Sequence, residues 1–148
     1  MPEENHRGTP RKDSGRAPTQ RIPLSPEHNR VSGAIVNAAF NIHKALGPGL
    51  LESIYEKCLT YELGQAGLQV DTQVSVPVHY KSMVFDEGLR IDLLVNRLVV
   101  VELKAVEAIL PVHHAQLLTY LKLSNLRLGL LINFNVPVLR DGLVRVIL

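Results

Sequence analysis

Arg90-Ile91-Asp92-Leu93-Leu94-Val95 and, after a short turn, Val99-Val100-Val101-Glu102-Leu103-Lys104 decide how this chain is read. Both segments are apolar, of strand length, and rich in the β-branched residues that suit a pleated sheet. Yet, beyond Arg90 at the outer end, three charges, Asp92, Glu102 and Lys104, stand where a strand should bury its side chains. A charge in a sheet core costs several kcal/mol, on the order given for buried ions, unless it is paired or bound to metal. Three such costs in so short a span point to a site.

Register sets a condition on that site. Side chains alternate faces along a strand, so a slip of one residue moves every side chain to the other face. A two-residue turn at Asn96-Arg97 sets Asp92 opposite Val101 and leaves Glu102 on the far face. Convergence of Asp92 with Glu102 requires a three-residue loop, Asn96-Arg97-Leu98, or a β-bulge. One of these is expected.

Toward the N-terminus, Val70 to Tyr80 alternates loosely and reads as one or two strands interrupted at Pro77. Lys81 to Gly88 reads as a turn region holding a short strand around Met83-Val84-Phe85. Further back, Val31, Ala34, Ile35, Ala38, Ala39, Ile42 and Leu46 recur at i, i+3, i+4 spacing, which marks an amphipathic helix from Glu27 to about Leu46. Ser25-Pro26 supplies an N-cap and a first-turn proline, and Gly47-Pro48-Gly49 stops the helix. A second helix runs from about Leu50 to Gln65. At 100° per residue, Glu52 falls within about 60° of Tyr55, Leu59 and Leu63, beside the apolar stripe. Taken alone, it is a first-turn glutamate favoured by the helix dipole.

Toward the C-terminus, Ala105 to Pro111 leads into a helix from about Val112 to Leu123. Leu126 to Phe134 is a continuous apolar run, fit for a strand buried on both faces, and Leu143 to Ile147 is a last strand near an edge. The order of elements implies an α/β fold: a central sheet of mixed strand order with helices on its faces. The connection from Glu102 through the helix to Leu130 is a crossover between parallel neighbours. Other polar residues read blandly. His113-His114 is a solvated helix start, His43 a surface or satisfied core histidine, Cys58 a small core residue, and Asn133-Phe134-Asn135 a turn after the buried strand.

The chain has 148 residues, 46% of them hydrophobic and 20% charged, which suits one soluble domain with a single core. No apolar run reaches the ~18 residues of a membrane span, so no membrane partner is expected. The one cysteine, Cys58, excludes an internal disulfide, and with no apolar leader the cytoplasm is the expected location. Residues 1–25, rich in Pro, Arg, Ser and Thr, are expected to be a disordered tail, with residues 26–148 forming the domain. The tail holds five basic and three acidic residues; removing them from the chain's 16 and 14 leaves 11 of each. A neutral domain lacks the electrostatic footprint of a strong nucleic-acid binder.

Gly49-Leu-Leu-Glu52-Ser-Ile-Tyr55 resembles the signature of the GxxExxY protein family, and Asp92 followed by Glu102-Leu103-Lys104 resembles the Asp…Glu-x-Lys core of the PD-(D/E)XK nuclease superfamily. Gln116-Leu-Leu-Thr-Tyr120 is similar to the Gln-x-x-x-Tyr helix motif of that superfamily's exonuclease branch. Ile91 stands where a proline often precedes the aspartate. The resemblance covers roughly residues 30–148 and implies a restriction-endonuclease-like fold and a Mg²⁺-dependent nuclease, with Mn²⁺ as the other candidate ion. It implies Asp92, Glu102, the Leu103 backbone carbonyl and Glu52 as metal ligands, and Glu52, Asp92, Glu102 and Lys104 as the catalytic set. It also implies that Gln116 and Tyr120 hold the substrate backbone or lock the catalytic lysine, and that the substrate is nucleic acid, with DNA ahead of RNA. A homodimer or larger complex is compatible with all of this. A rival reading stays open: a catalytically silent nuclease-fold scaffold within a larger complex, which the neutral domain favours.

Overall fold

The computed structural model describes residues 22–148. Most of the expected tail, residues 1–21, lies outside them; Leu24 packs partly buried against the core, and Ser25 caps the first helix. In helix α1 (Pro26–Leu46), Ser25 Oγ accepts the His28 N–H at 3.3 Å while Ser25 N–H donates to His28 Nδ1 at 3.2 Å. His28 thus stands in for the usual Glu or Gln of a capping box. The helix buries Val31, Ile35, Ala38, Ala39 and Ile42 along one stripe. Leu46, the last position of the expected stripe, is exposed because the chain turns away at Gly47.

Helix α2 (Glu52–Gln65) is launched by a tight turn that Tyr55 holds in place. Gly49 sits at φ +97°, where a side chain costs on the order of 1–2 kcal/mol. The fully buried Tyr55 donates its hydroxyl to the Gly47 carbonyl at 2.6 Å and accepts the Leu50 N–H at 3.2 Å. Its ring stacks on Phe134 with centroids 4.3 Å apart. Tyr55→Phe keeps the stack but strands both backbone groups, so a loss of about 1–3 kcal/mol is expected in urea unfolding. An unchanged midpoint would show that the hydroxyl does not hold the turn.

Strands β1 (Val70–Tyr80) and β2 (Met83–Val95) form one long hairpin. The turn region expected over Lys81–Gly88 is confined to its first two residues, and the short strand expected around Met83–Phe85 is the start of β2. The reversal needs only Lys81 and Ser82, and β2 runs unbroken from Met83. Pro77 does not interrupt β1, because an edge strand tolerates a missing donor and a register shift between Val76 and Val78 absorbs it.

After β3 (Val99–Lys104), helix α3 (Pro111–Ser124) leads to β4 (Leu128–Asn133) and, through a 3₁₀ turn (Leu139–Gly142), to β5 (Leu143–Ile147). β4 starts two residues later than its apolar run, because Asn125 closes α3 in a left-handed conformation and Leu126 N–H returns to the Leu121 carbonyl. The sheet order is β1-β2-β3-β4-β5, antiparallel except between β3 and β4. The sheet is mixed in strand direction and flanked by helices, the α/β class that the sequence implies; only its strand order differs from the expectation, being sequential because each hairpin places its strand beside the last. The one parallel joint is where a crossover is needed, and α3 supplies it. Helices α1 and α2 cover one face, over Leu93, Val101, Leu128 and Leu130. On the other face α3 sets Leu117 and Leu121 against Val100 and Leu131. β4, sandwiched between the two, is buried along its whole length. No described helix is long and apolar enough to cross a membrane.

Candidate active site

The turn between β2 and β3 meets the condition that the charges impose. Val95 pairs with Val99, not Leu98, so Asn96, Arg97 and Leu98 form a three-residue loop. Asn96 and Arg97 are left-handed, at φ +51° and +50°, and Leu98 N–H closes on the Val95 carbonyl at 3.0 Å. Asn96 tolerates this conformation and exchanges two 2.8 Å hydrogen bonds with the Gln69 backbone, which anchors the loop. The resulting register sets Asp92 opposite Glu102.

At that pair the sheet opens. The register would next join Ile91 to Leu103, but the β2–β3 ladder stops at Leu93 and Val101. Asp92 Oδ2 instead accepts the Leu103 N–H at 2.9 Å, and Glu102 Oε1 accepts the Asp92 N–H at 3.1 Å. On the other side of β2, the Gln73–Asp92 rung is missing between Thr72–Leu93 and Val74–Ile91, and Gln73 stands at φ +52°. The break rotates the outer hairpin: Leu93 packs under α1 and α2, whereas Ile91, two residues away, packs on the α3 side. The two carboxylates take the place of lost backbone partners, which is how a sheet accommodates them.

The pair is electrostatically costly. Glu102 is 6% exposed, and its carboxyl is pushed up to about 8, first by burial and then by the negative charge of Asp92. The Asp92 N–H and Lys104 pull the other way. Lys104, half-buried, follows Glu102 by two residues and so shares its strand face. Tyr120 on α3 is buried beside the same charges; desolvation, then Glu102 and Asp92, raise its hydroxyl above the ordinary tyrosine value. Gln116, one turn earlier, is exposed.

Glu52 opens α2 across a cleft of about 710 Å³ lined by Glu52, Glu56, Gln73, Asp92, Ala105 and Asn135 among others. Its Oε1 accepts the Ala105 N–H at 3.1 Å, so it grips the chain one residue past Lys104. Among the described residues, no three acidic, histidine or cysteine side chains are grouped so as to hold a metal ion. Asp92 and Glu102 converge, and Glu52 stands apart from them at the cleft wall.

Three residues at the site escape a reading of the sequence. Glu56 lies one turn beyond Glu52 on the same helix face, a signal that i, i+4 spacing carries. Gln73 has no local signal, since only hairpin register brings it to Asp92. Asn133, read as part of a turn, ends β4 opposite Lys104 and is 1% exposed. Its Oδ1 accepts the Val106 and Asn135 N–H groups at 3.2 Å each, and its Nδ2 donates to the Val106 carbonyl at 2.9 Å. It clamps the loop behind Lys104; a polar residue inside an apolar run was the available sign. His43 is satisfied by the Val136 carbonyl at 2.8 Å, and His113 Nδ1 accepts the Leu110 N–H at 2.9 Å as a cap of α3. Cys58 packs partly buried against the core.

An α/β domain whose sheet parts around an Asp and a Glu from adjacent strands, with a Lys two residues on, defines a class of oxygen-donor sites suited to hard divalent cations. A family model for the PD-(D/E)XK nuclease superfamily matches residues 29–146, and the chain belongs to that superfamily. No curated protein and no solved structure matches the chain.

Proposed function

We propose that this protein is a divalent-metal-dependent nuclease that hydrolyses phosphodiester bonds in nucleic acid, DNA ahead of RNA, within the GxxExxY branch of its superfamily. The observation that carries the reading is the meeting of Asp92 and Glu102 where the β2–β3 ladder opens. All the donors there are oxygens, and the buried Glu102 beside the half-buried Asp92 can ionise most readily when a cation offsets their repulsion. Mg²⁺ or Mn²⁺ would be held by Asp92, Glu102 and the Leu103 carbonyl. That carbonyl faces the same gap as its N–H, since both groups of one strand residue point the same way. Glu52 would join through water. A cation so held supplies Lewis acidity toward a phosphoryl oxygen.

The remaining chemistry belongs to the chain's own side chains. Lys104 orients the attacking water or takes its proton, and its charge offsets the developing negative charge. Tyr120, kept protonated by burial and by the two acids, donates to a non-bridging phosphate oxygen. Gln116, exposed one turn away, holds the next phosphate of the strand. Glu52 and Asn133 fix the loop behind Lys104 at successive residues, Ala105 and Val106.

The test is Mn²⁺ calorimetry on wild type and Asp92→Ala, with cleavage assays on single- and double-stranded DNA and RNA. Wild-type binding, its loss in Asp92→Ala, and metal-dependent cleavage are the expected results. The scaffold reading, which the equal acid and base counts of residues 26–148 favour, expects no cleavage of any of the four substrates.

A further inference from the structure

Gln73 occupies a left-handed conformation in the middle of a strand, at φ +52°. Residues with a side chain rarely adopt it, and such strain persists only where something holds it. Packing does not supply the reason, because Gln73 is exposed. Its hydrogen bonds do. Nε2 points at three carboxylate oxygens: Glu56 Oε2 at 3.0 Å, Glu56 Oε1 at 3.2 Å and Asp92 Oδ1 at 3.4 Å. The other Asp92 oxygen is held by the Leu103 N–H at 2.9 Å.

We propose that Gln73 is a positioning residue for Asp92, anchored by Glu56, and that its side-chain amide sets the angle at which the Asp92 carboxylate meets a divalent cation. The inference rests on the metal-site reading above. With one oxygen bound from β3 and the other from β1, the carboxylate cannot rotate freely, so its ligand geometry exists before a cation arrives. An amide suits this place. It donates two protons without carrying charge, so it joins two carboxylates that would otherwise repel. Glu56 in turn holds the amide from α2, one turn beyond Glu52, and so ties the orientation of Asp92 to the helix on the opposite wall of the cleft.

The experiment compares wild type, Gln73→Gly, Glu56→Ala and the double variant by Mn²⁺ calorimetry and urea unfolding. Glycine accepts the left-handed backbone without strain and removes the side chain that carries the amide, so Gln73→Gly should weaken Mn²⁺ binding by about tenfold or more, as loss of an outer hydrogen bond to a metal ligand does. Its unfolding midpoint should not fall. Glu56→Ala should weaken binding by a smaller factor and add nothing in the Gln73→Gly background, since it acts through that amide. Unchanged Mn²⁺ affinity in Gln73→Gly, or a lower midpoint accompanying the loss, overturns the positioning role. Independent, additive losses overturn the anchoring by Glu56. Failure of wild type itself to bind Mn²⁺ sinks the metal-site reading and this inference with it, and is distinct from either result.

Discussion

Lys104→Ala is expected to slow phosphodiester cleavage by about 10²–10⁴-fold while leaving Mn²⁺ affinity within a few-fold, following the usual range for a group that moves a proton or meets developing charge. The two readouts separate because an ammonium has no lone pair and cannot be a ligand. Two opposing effects act on the metal. Removing the positive charge strengthens the field that attracts a cation, but it also raises Glu102 further, since Lys104 is one of the groups holding that carboxyl down. Lys104→Arg divides the possible roles. Guanidinium keeps the charge yet cannot give up a proton near neutral pH, so restored cleavage assigns charge stabilisation and absent cleavage assigns proton handling. Full cleavage in Lys104→Ala would remove the lysine from the mechanism.

Glu102 supplies the second large effect, on pH. Its carboxyl is raised from 4.5 to about 8, so between those values the folded metal-free protein binds more protons than the unfolded chain. Stability therefore falls as pH rises through this window and is level on either side, with a slope of at most about 1.4 kcal/mol per pH unit from this group. A cation needs the ionised carboxylate, so Mn²⁺ binding at pH 7 should release about one proton and tighten as pH rises toward 8. Urea unfolding across pH 5–9 and calorimetry in buffers of different ionisation enthalpy measure the two effects. Glu102→Gln should flatten the stability profile and remove the proton release. A wild-type profile already flat between pH 5 and 8 would mean that Glu102 is ionised in the fold.

Both expectations rest on Glu102 being buried beside Asp92, and half of that arrangement is legible in the chain. Apolar runs broken by Asp92 and Glu102 announce a site, and alternation along a strand demands an odd loop between them. The three-residue loop at Asn96–Leu98 met that demand. The same logic does not reveal that the ladder ends there, because a lost rung depends on what side chains from other strands offer in its place. Glu52 shows the limit differently: its helix position was readable, but its grip on Ala105 was not.

What the sequence by itself determined is everything set by neighbours along the chain. The Ser25 cap, the buried stripe of α1, the turn at Gly47–Gly49 and the apolar run of β4 follow from periodicity and turn chemistry, as does the demand for an odd loop or a bulge between Asp92 and Glu102. Only the tertiary structure decided the sequential strand order, the opening of the sheet at Asp92, the bonds from Gln73 to Asp92 and from Asn133 to Val106, and the raised carboxyl of Glu102. The physical reason is distance along the chain. Gln73 and Asp92 are 19 residues apart and Asn133 and Val106 are 27 apart, so no local pattern encodes their meeting. Burial, which sets the charge state of Glu102, exists only once both faces of the sheet are covered.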